Sequence, residues 1–512
     1  MNNSKKFCHD LGSLLSGFPI KIDKSMKDCN ISGLSLDSRK IKKGDLFFAI
    51  QGKKYKGSDF ITEAKKKGAI AVLSDNKEKI DNNVIFVPNL RDLIGSISSK
   101  FYNEPSRELN TFVVTGTNGK TTCVETLFQI GNLLGKKSGY LSTIGSSVNK
   151  KAVLNKSPLT TPNPIDLQKA LFKMRSNNIK LVSLEASSHG LKQSRLKGLE
   201  IDVAILTSFS QDHLDYHKNM KEYSRSKMIL FNEFNPKIAV LNMKSLQDTQ
   251  LEKDLKVWQG FTSTKVIKIL EIDRFNSKNI IPDKIDVIYS FSRETEDLLK
   301  VELKANIFNL EETFFLKTMS KALASNVVSS MVALLAFGYD LSKVYPLLDK
   351  VKFPPGRMER VNLNKKDICF IDYAHTPDAL SNALKEIRDS FPKKNIWCLF
   401  GCGGERDKSK RPLMGSIANQ LADKVVITND NPREEKATDI INQIISGKDQ
   451  SLFKVIPQRL KAIRYCIETI QKSDQTNVLL IAGKGHENYQ EIMGEKKLFS
   501  DQDAVNTCIR AL

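Results

Sequence analysis

Hydrophobic and polar positions along the chain alternate between short apolar runs and longer amphipathic stretches. Asp45–Ile50 and Ala69–Leu73 are apolar runs of strand length, and Phe60–Lys67 between them has helical spacing. Further on, Thr111–Thr115, Leu181–Leu184 and Val203–Leu206 are nearly continuous apolar runs. The first is followed by apolar positions at Val124, Leu127, Phe128, Gly131 and Leu134, which predict a helix. Residues 250–318 predict a β-rich stretch, and Asn326–Phe337 a helix that closes the middle of the chain. From Phe353 the alternation repeats, with strands predicted at Ile368–Tyr373, Ile396–Phe400, Val425–Thr428 and Val478–Ala482. Pro377 stands at the N1 position of a helix whose apolar face is Ala379, Leu380, Ala383, Leu384 and Ile387. Strand–helix alternation with apolar strands predicts an α/β fold of parallel sheets covered on both faces.

Length then sets the domain count. At 512 residues one core is too few, and the pattern predicts three domains: 1–106, 107–351 and 352–512, with Asn103–Arg107 as the first linker. No apolar window is long enough for a membrane helix, and the N-terminus lacks a secretory cleavage pattern, so a cytoplasmic protein is expected. Eight cysteines without a CxxC pair give no disulfide framework and no zinc site. The net charge of +21 raises nucleic-acid binding, but the lysines are scattered rather than clustered, and no nucleic-acid partner is expected.

The candidate chemistry lies where strands end. Gly116–Thr122 joins a strand to a helix, the context of a phosphate loop. The loop's backbone N–H groups close on phosphate, Lys120 reaches the terminal phosphates, and the Thr121 hydroxyl ligates Mg²⁺. The loop is shorter than the usual P-loop, because Val114 stands where its first glycine would be. Of six histidines, five fall in polar motifs at predicted strand ends: His189 in Glu185–Gly190, His213 and His217 in Asp212–His217, His375 in Asp372–His375 and His486 in Gly483–Glu487. Glu185 is an oxygen donor suited to Mg²⁺. His213 offers an imidazole, and His217 reads as structural. Tyr223–Phe231 reads as the start of a helix, on which Lys227 would pass unnoticed.

These motifs occur in one order that resembles the Mur ligase family. They are the contracted phosphate loop, Glu185–Gly190, Asp212–His217 with Tyr223 and Lys227 downstream, Gly356–Val361, Asp372–Leu380, Gly401–Pro412, Asp430–Arg433 and Ala482–Glu487. The resemblance runs from about Leu36 to Gln490 and lies nearest the branch that adds meso-diaminopimelate to UDP-N-acetylmuramoyl-L-alanyl-D-glutamate in peptidoglycan precursor synthesis. It implies a UDP-binding N-terminal domain, a central P-loop ATPase-type domain and a C-terminal Rossmann-like domain, acting as a monomer. It further implies ATP-driven activation of a carboxylate as an acyl phosphate, with Lys120, Glu185, His213 and Lys227 as catalytic residues. Lys227 would be carbamylated by CO₂ and hold magnesium with Thr121, Glu185 and His213.

By the same resemblance Gly116, Thr117, Asn118, Gly119, Lys120, Thr121, Thr122, Asn326, Arg357, Asp372 and His375 bind ATP. Leu36, Ser38, Lys53, Lys54 and Tyr55 contact the uridine nucleotide, and Thr160, Thr161, Ser187, Gln193 and Arg195 the muramoyl dipeptide. Arg406, Asp430, Asn431, Pro432, Arg433, Gly483 and Glu487 grip the distal centre of diaminopimelate. Arg433 would clamp its carboxylate, which L-lysine lacks, and Glu487 would accept from its ammonium. Two positions depart from the pattern: Leu323 stands where relatives carry glycine, and Ser329 where they carry a second asparagine. Activity is expected to survive, since every phosphate and metal position is present. The lysine-adding branch, folylpolyglutamate synthetases, a nucleic-acid-dependent ATPase and an inactive binding protein are the alternatives.

Overall fold

The computed structural model describes residues 7–511 apart from 53–54, 78–80, 149–150, 153–158, 275–283 and 448. The chain forms two compact units. The first comprises Met1–Val114, Gly131–Ala204 and Ile229–Lys237, and the second Thr115–Ile130, Ile205–Met228 and Ile238–Leu512.

In the first unit the N-terminal segment builds a parallel sheet from Gly33–Ser35, Asp45–Ala49, Ala71–Ser74 and Val84–Phe86, in that order. Its strands are apolar on both faces because both are covered. Leu46, Phe48, Ala71 and Leu73 join a core with the helix Leu90–Phe101, while Phe47, Ala49 and Val72 pack against the helix Ile61–Lys66. The segment 103–107, expected as a linker, is a packed turn. Pro105–Glu108 is a 3-10 turn with Pro105 and Ser106 buried, and Ser106 Oγ accepts from the Glu200 backbone N–H at 3.1 Å. Proline at its start supplies the preset φ that lets so short a turn close.

The same unit holds Leu181–Glu185 between two parallel neighbours, Asn110–Thr115 and Ser138–Ser142. Ser138–Ser142 then turns into the antiparallel strand Gly145–Val148. The hairpin departs from the all-parallel expectation; Gly145 at φ 145° occupies backbone space closed to other residues and allows the tight turn.

In the second unit Ile238–Asn242, Lys265–Glu271 and Val287–Thr295 run parallel, and Leu298–Ala305 and Leu310–Leu316 extend them as an antiparallel meander. The stretch 250–318 is therefore β-rich only from Lys265; Gln250–Gln259 is a helix capped by Thr249. The helix expected at Asn326 begins earlier, at Lys321, where the Ser320 side chain accepts from the Leu323 N–H. Tyr223–Phe231 likewise lies inside the helix Met220–Asn232 rather than at its start.

The C-terminal sheet has the order Glu359–Asn362, Ile368–Asp372, Asn477–Ala482, Asn395–Phe400, Lys424–Ile427, Phe453–Val455. All neighbours are parallel except the first pair. Alternate side chains feed two cores: Phe370, Leu480 and Phe400 on one face, Ile371, Leu479 and Leu399 on the other. Each parallel strand ends at the same edge, where loops can meet a ligand. Among the described residues no helix is long and apolar enough to cross a membrane.

Candidate active site

The glycine loop is shaped by what touches it. Gly116 and Gly119 adopt φ of 151° and 87°. A Cβ on Gly116 would meet Thr207 Oγ1 at 1.9 Å, and one on Gly119 would meet Asn326 Oδ1 at 2.4 Å, so only glycine fits either place. The Asn118 N–H donates to Ser208 Oγ, and Thr207 Oγ1 donates back to the Asn118 carbonyl at 2.6 Å. Lys120 Nζ donates to the carbonyls of Gly116 and Thr117 at 2.9 and 2.8 Å, so its ammonium lies over the loop. Arg357 donates to Thr121 Oγ1 at 3.4 Å and stacks over the Tyr373 ring at 4.7 Å. Thr122 is buried in the first turn of the helix Lys120–Leu133.

Asn326, expected near the nucleotide, thus abuts the loop at Gly119. Ser329 is fully buried and its hydroxyl donates to the Ser325 carbonyl, so this departure is absorbed within the helix. Leu323 lines a cavity of about 350 Å³ together with Phe353, Pro355, Arg357, Met358 and Phe370.

Beside the loop, in the same unit, Asp212 gathers a lysine and two imidazoles. Its carboxylate lies 3.4 Å from Lys410 Nζ, 3.4 Å from His213 Nε2 and 3.6 Å from His375 Nε2. Burial opposes its ionisation, but Lys410 and the two histidines hold its carboxyl well below the usual carboxylate range. His213 sits at φ 57°, a left-handed turn before the one-turn helix Leu214–His217. His217 is buried against Tyr223, with ring centroids 5.2 Å apart. Asp372 accepts from the Met358 N–H at 2.7 Å; burial raises its pKa, while Arg357 opposes the rise.

Lys227 is 1% exposed, with Nζ 4.5 Å from the centre of the Tyr223 ring. Burial pushes its amine well below the ordinary lysine value, and nearby Lys120 pushes the same way, against a weaker pull from Asp212. Nothing in the local sequence announced this burial.

In the first unit Glu185 ends its strand buried, accepting from the Thr143 N–H at 2.9 Å and from the Thr143 hydroxyl at 3.2 Å. Thr143 is a residue that sequence reading missed. Thr161 Oγ1 donates to the Glu185 carbonyl and lies 3.1 Å from Ser187 Oγ. Arg195 donates to the Thr161 carbonyl and to Gln193 Oε1, so Thr161, Ser187, Gln193 and Arg195 form one cluster, with Thr160 adjoining in sequence. In the N-terminal segment Ser38 Oγ donates to Glu63, Leu36 packs on the core, and Tyr55 is 71% exposed against Phe60. Lys53 and Lys54 lie outside the described residues.

At the C-terminal sheet edge three loops converge. Arg433 lies at φ 52°, and its guanidinium donates to the Gly404 carbonyl at 2.6 Å and stands 3.5 Å from Glu491. Arg433 and Arg406 both approach Gly403, where a Cβ would lie 3.0 Å from Arg433 Nη1 and 3.5 Å from Arg406 Cγ. Pro432 packs on Gly404, and a Cβ on Gly483 would meet Asp430 Oδ2 at 2.6 Å. Asn431 donates to Glu487 Oε2 at 2.8 Å. Arg411, fully buried, holds two of these loops together: it makes a two-pronged pair with Glu435 at 2.8 and 3.0 Å and donates to the Gly403 carbonyl. That pairing, helped by the Glu405 N–H and Lys408, draws the Glu435 pKa down to about 2.

The arrangement can grip a nucleotide polyphosphate at the glycine loop and a doubly charged amino acid at the sheet edge. The Mur ligase catalytic domain matches residues 30–109, the Mur ligase middle domain 114–333, and the glutamate ligase domain of Mur ligases 356–485. The chain is 38% identical over 490 residues to a UDP-N-acetylmuramoyl-L-alanyl-D-glutamate–2,6-diaminopimelate ligase of Buchnera aphidicola, covering 93% of this chain and 94% of that one. To the like-named ligase of Rickettsia bellii it is 39% identical over 93% of this chain and 95% of the other. A solved structure of such a ligase matches with TM-score 0.67 and 30% identity, over 98% of this chain and 99% of that one. With three domain matches in chain order and full-length relatives of this similarity, the chain belongs to the Mur ligase family and is an ATP-dependent, amide-bond-forming ligase.

Proposed function

We propose that the chain joins meso-2,6-diaminopimelate to UDP-N-acetylmuramoyl-L-alanyl-D-glutamate, in the cytoplasm and as a monomer, during assembly of peptidoglycan precursors. The observation that carries the choice of amino acid is the cluster of Arg433, Arg406, Asp430, Asn431, Gly483 and Glu487 on loops at one sheet edge. Two guanidinium groups there suit a carboxylate and Glu487 suits an ammonium, the two charges of the distal centre of diaminopimelate. L-Lysine would leave a guanidinium without its anion, a mismatch able to discriminate by roughly 10⁴-fold. The relatives' names point to the same substrates. We assign 1–106 to the UDP-sugar domain, 107–351 to the ATP-binding domain and 352–512 to the amino-acid domain; the domain matches, at 30–109, 114–333 and 356–485, follow in the same order.

A carboxylate at neutral pH is a poor electrophile. In the proposed reaction the terminal phosphoryl of ATP passes to a carboxylate oxygen of the dipeptide and ADP leaves. The diaminopimelate amine then attacks the acyl carbon, loses a proton, and expels phosphate to leave an amide. Gly116–Thr122 cradle the phosphates, and Lys120 swings from its loop carbonyls onto the phosphoryl group in transfer. Asn326, Arg357, Asp372 and His375 hold the remainder of the nucleotide. Thr160, Thr161, Ser187, Gln193 and Arg195 hold the muramoyl dipeptide. Leu36, Ser38, Lys53, Lys54 and Tyr55 are the proposed uridine contacts.

Thr121, Glu185, His213 and Lys227 would hold magnesium, which when bound neutralises charge on the transferring phosphoryl. Lys227 can serve there only if it is not an ammonium, and its burial beside Lys120 favours the neutral amine. A neutral amine adds CO₂, releasing one proton, and the carbamate so formed supplies the oxygen that a hard cation requires.

The test is phosphate release from ATP and Mg²⁺ with the UDP-muramoyl dipeptide and diaminopimelate, L-lysine or no amine. Release with diaminopimelate alone is expected. Release with lysine alone would overturn the amino-acid assignment, and release with neither the ligase reading itself.

A further inference from the structure

Lys484 is the second residue after the strand Asn477–Ala482, and its side chain is fully buried. An ammonium leaves water at a cost of several kcal/mol unless its charge is balanced and its donors are used. Here Nζ donates to Asn431 Oδ1 at 3.1 Å and to Glu487 Oε2 at 3.1 Å, with the Tyr489 ring centre 5.6 Å away. Asn431 is held in turn: its Oδ1 also accepts from the Glu491 N–H at 3.0 Å, and its Nδ2 donates to Glu487 Oε2 at 2.8 Å.

The geometry is one-sided. Both side-chain donors to Glu487 converge on Oε2, and neither bonds to Oε1. The Glu487 side chain keeps 17% exposure where Lys484 keeps none, so the carboxylate stands at the border between buried donors and the open edge of the sheet. A carboxylate gripped through one oxygen has little rotational freedom left, and its other oxygen points in a fixed direction.

We propose that Lys484 is a positioning residue of the amino-acid site: it balances the charge of Glu487 and pins Oε2, so that Oε1 is presented to the distal ammonium of the incoming amino acid. This rests on the diaminopimelate reading and deepens it. Selectivity for an amino acid with both charges then comes from two fixed groups. Arg433 is set by the Gly404 carbonyl and Glu491, and Glu487 by Lys484 and Asn431. A lysine that merely filled space would be replaced by methionine at little cost to binding, since methionine fills a similar volume.

The experiment measures KM and kcat for diaminopimelate in the wild type, Lys484→Met, Lys484→Arg, Glu487→Gln and the Lys484→Met/Glu487→Gln double variant. Lys484→Met is expected to raise the KM for diaminopimelate by ~10-fold or more while kcat and the KM for ATP change by less than about 3-fold. Lys484→Arg should recover most of the loss. Because Lys484 acts through Glu487, the double variant should bind no worse than Glu487→Gln alone. An unchanged KM in Lys484→Met, or costs that simply add in the double variant, would overturn the inference. If Lys484→Met does not fold, Lys484→Gln, which keeps a donor without the charge, carries the same comparison. A wild type that does not use diaminopimelate would overturn the amino-acid reading and this inference together. A wild type that uses it alongside an unaffected Lys484→Met would overturn this inference alone.

Discussion

Lys227 and Lys484 are both buried in the second compact unit, yet their surroundings are electrically opposite. Around Lys484 a carboxylate and an amide oxygen accept from the side-chain nitrogen. Around Lys227 there is an aromatic face and the like charge of Lys120, with no ion pair to its Nζ among the described residues. In the roles we propose, the same side chain at the same depth is a charge that orients a neighbour in one place and a reactive amine in the other. Burial alone does not assign a role to a lysine; its partners do.

The largest effect should come from Lys227. Replacing it with alanine removes the proposed carbamate and should cut kcat by ~10³-fold or more, with partial rescue by short-chain carboxylic acids. Phosphate release reads the loss, and a fully active variant would break the comparison at once. Next, Arg433→Ala removes the guanidinium that should distinguish diaminopimelate from lysine. We expect kcat/KM for diaminopimelate to fall about 10²-fold while the weak rate with lysine stays level, so the ratio between the two collapses. Arg433→Lys should recover little, because an ammonium lacks the two-pronged geometry. The Lys484 series comes third and tests the other half of the comparison.

The smallest effect sharpens it with a buried carboxylate. Glu386, in the helix Pro377–Ser390, accepts from the Ala322 N–H at 2.9 Å, at the start of the helix Lys321–Ala336. Burial raises its pKa to about 7; bonds from Ser320 and Ala322 and the charge of Arg293 oppose the rise, and Asp372 adds to it. The folded state therefore keeps a proton that the unfolded chain releases near 4.5. The stabilisation is complete below that value and is lost as pH rises through about 7, an effect of roughly 3 kcal/mol. Glu386→Gln, which mimics the protonated form, should flatten the pH dependence of Tm between pH 5 and 8. A variant whose Tm follows the wild type across that range would show that Glu386 is not the group responsible.

Much of this was legible before any coordinates. Gly116–Thr122 is a contiguous motif whose chemistry is local, so the strand, loop and helix around it appeared as expected. Apolar runs such as Val478–Ala482 also announced strands buried on both faces. Gln250–Gln259 is a helix within a stretch expected to be β-rich; Leu251, Leu255 and Trp258 stand at i, i+4 and i+7, a helical spacing that the β-rich residues after it outweighed. Residues 103–107 looked like a linker from their polar composition, yet they pack as a turn against residues almost a hundred positions away. Thr143 and Arg411 were missed because their partners, Glu185 and Glu435, are distant in sequence, and Lys484 because nothing local announces its burial.

The sequence by itself determined the elements and the order of the motifs, since hydrophobic period and glycine placement act over a few residues. Only the tertiary structure decided which motifs meet. In the chain, Ala482–Glu487 comes last, a hundred residues after Asp372–His375. In the sheet, Asn477–Ala482 inserts between Ile368–Asp372 and Asn395–Phe400. That strand order puts the loop carrying Lys484 and Glu487 between the loop carrying His375 and the loop carrying Arg406. A parallel sheet fixes its strand order by burying both faces of each strand, and that choice depends on the whole core rather than on any local run.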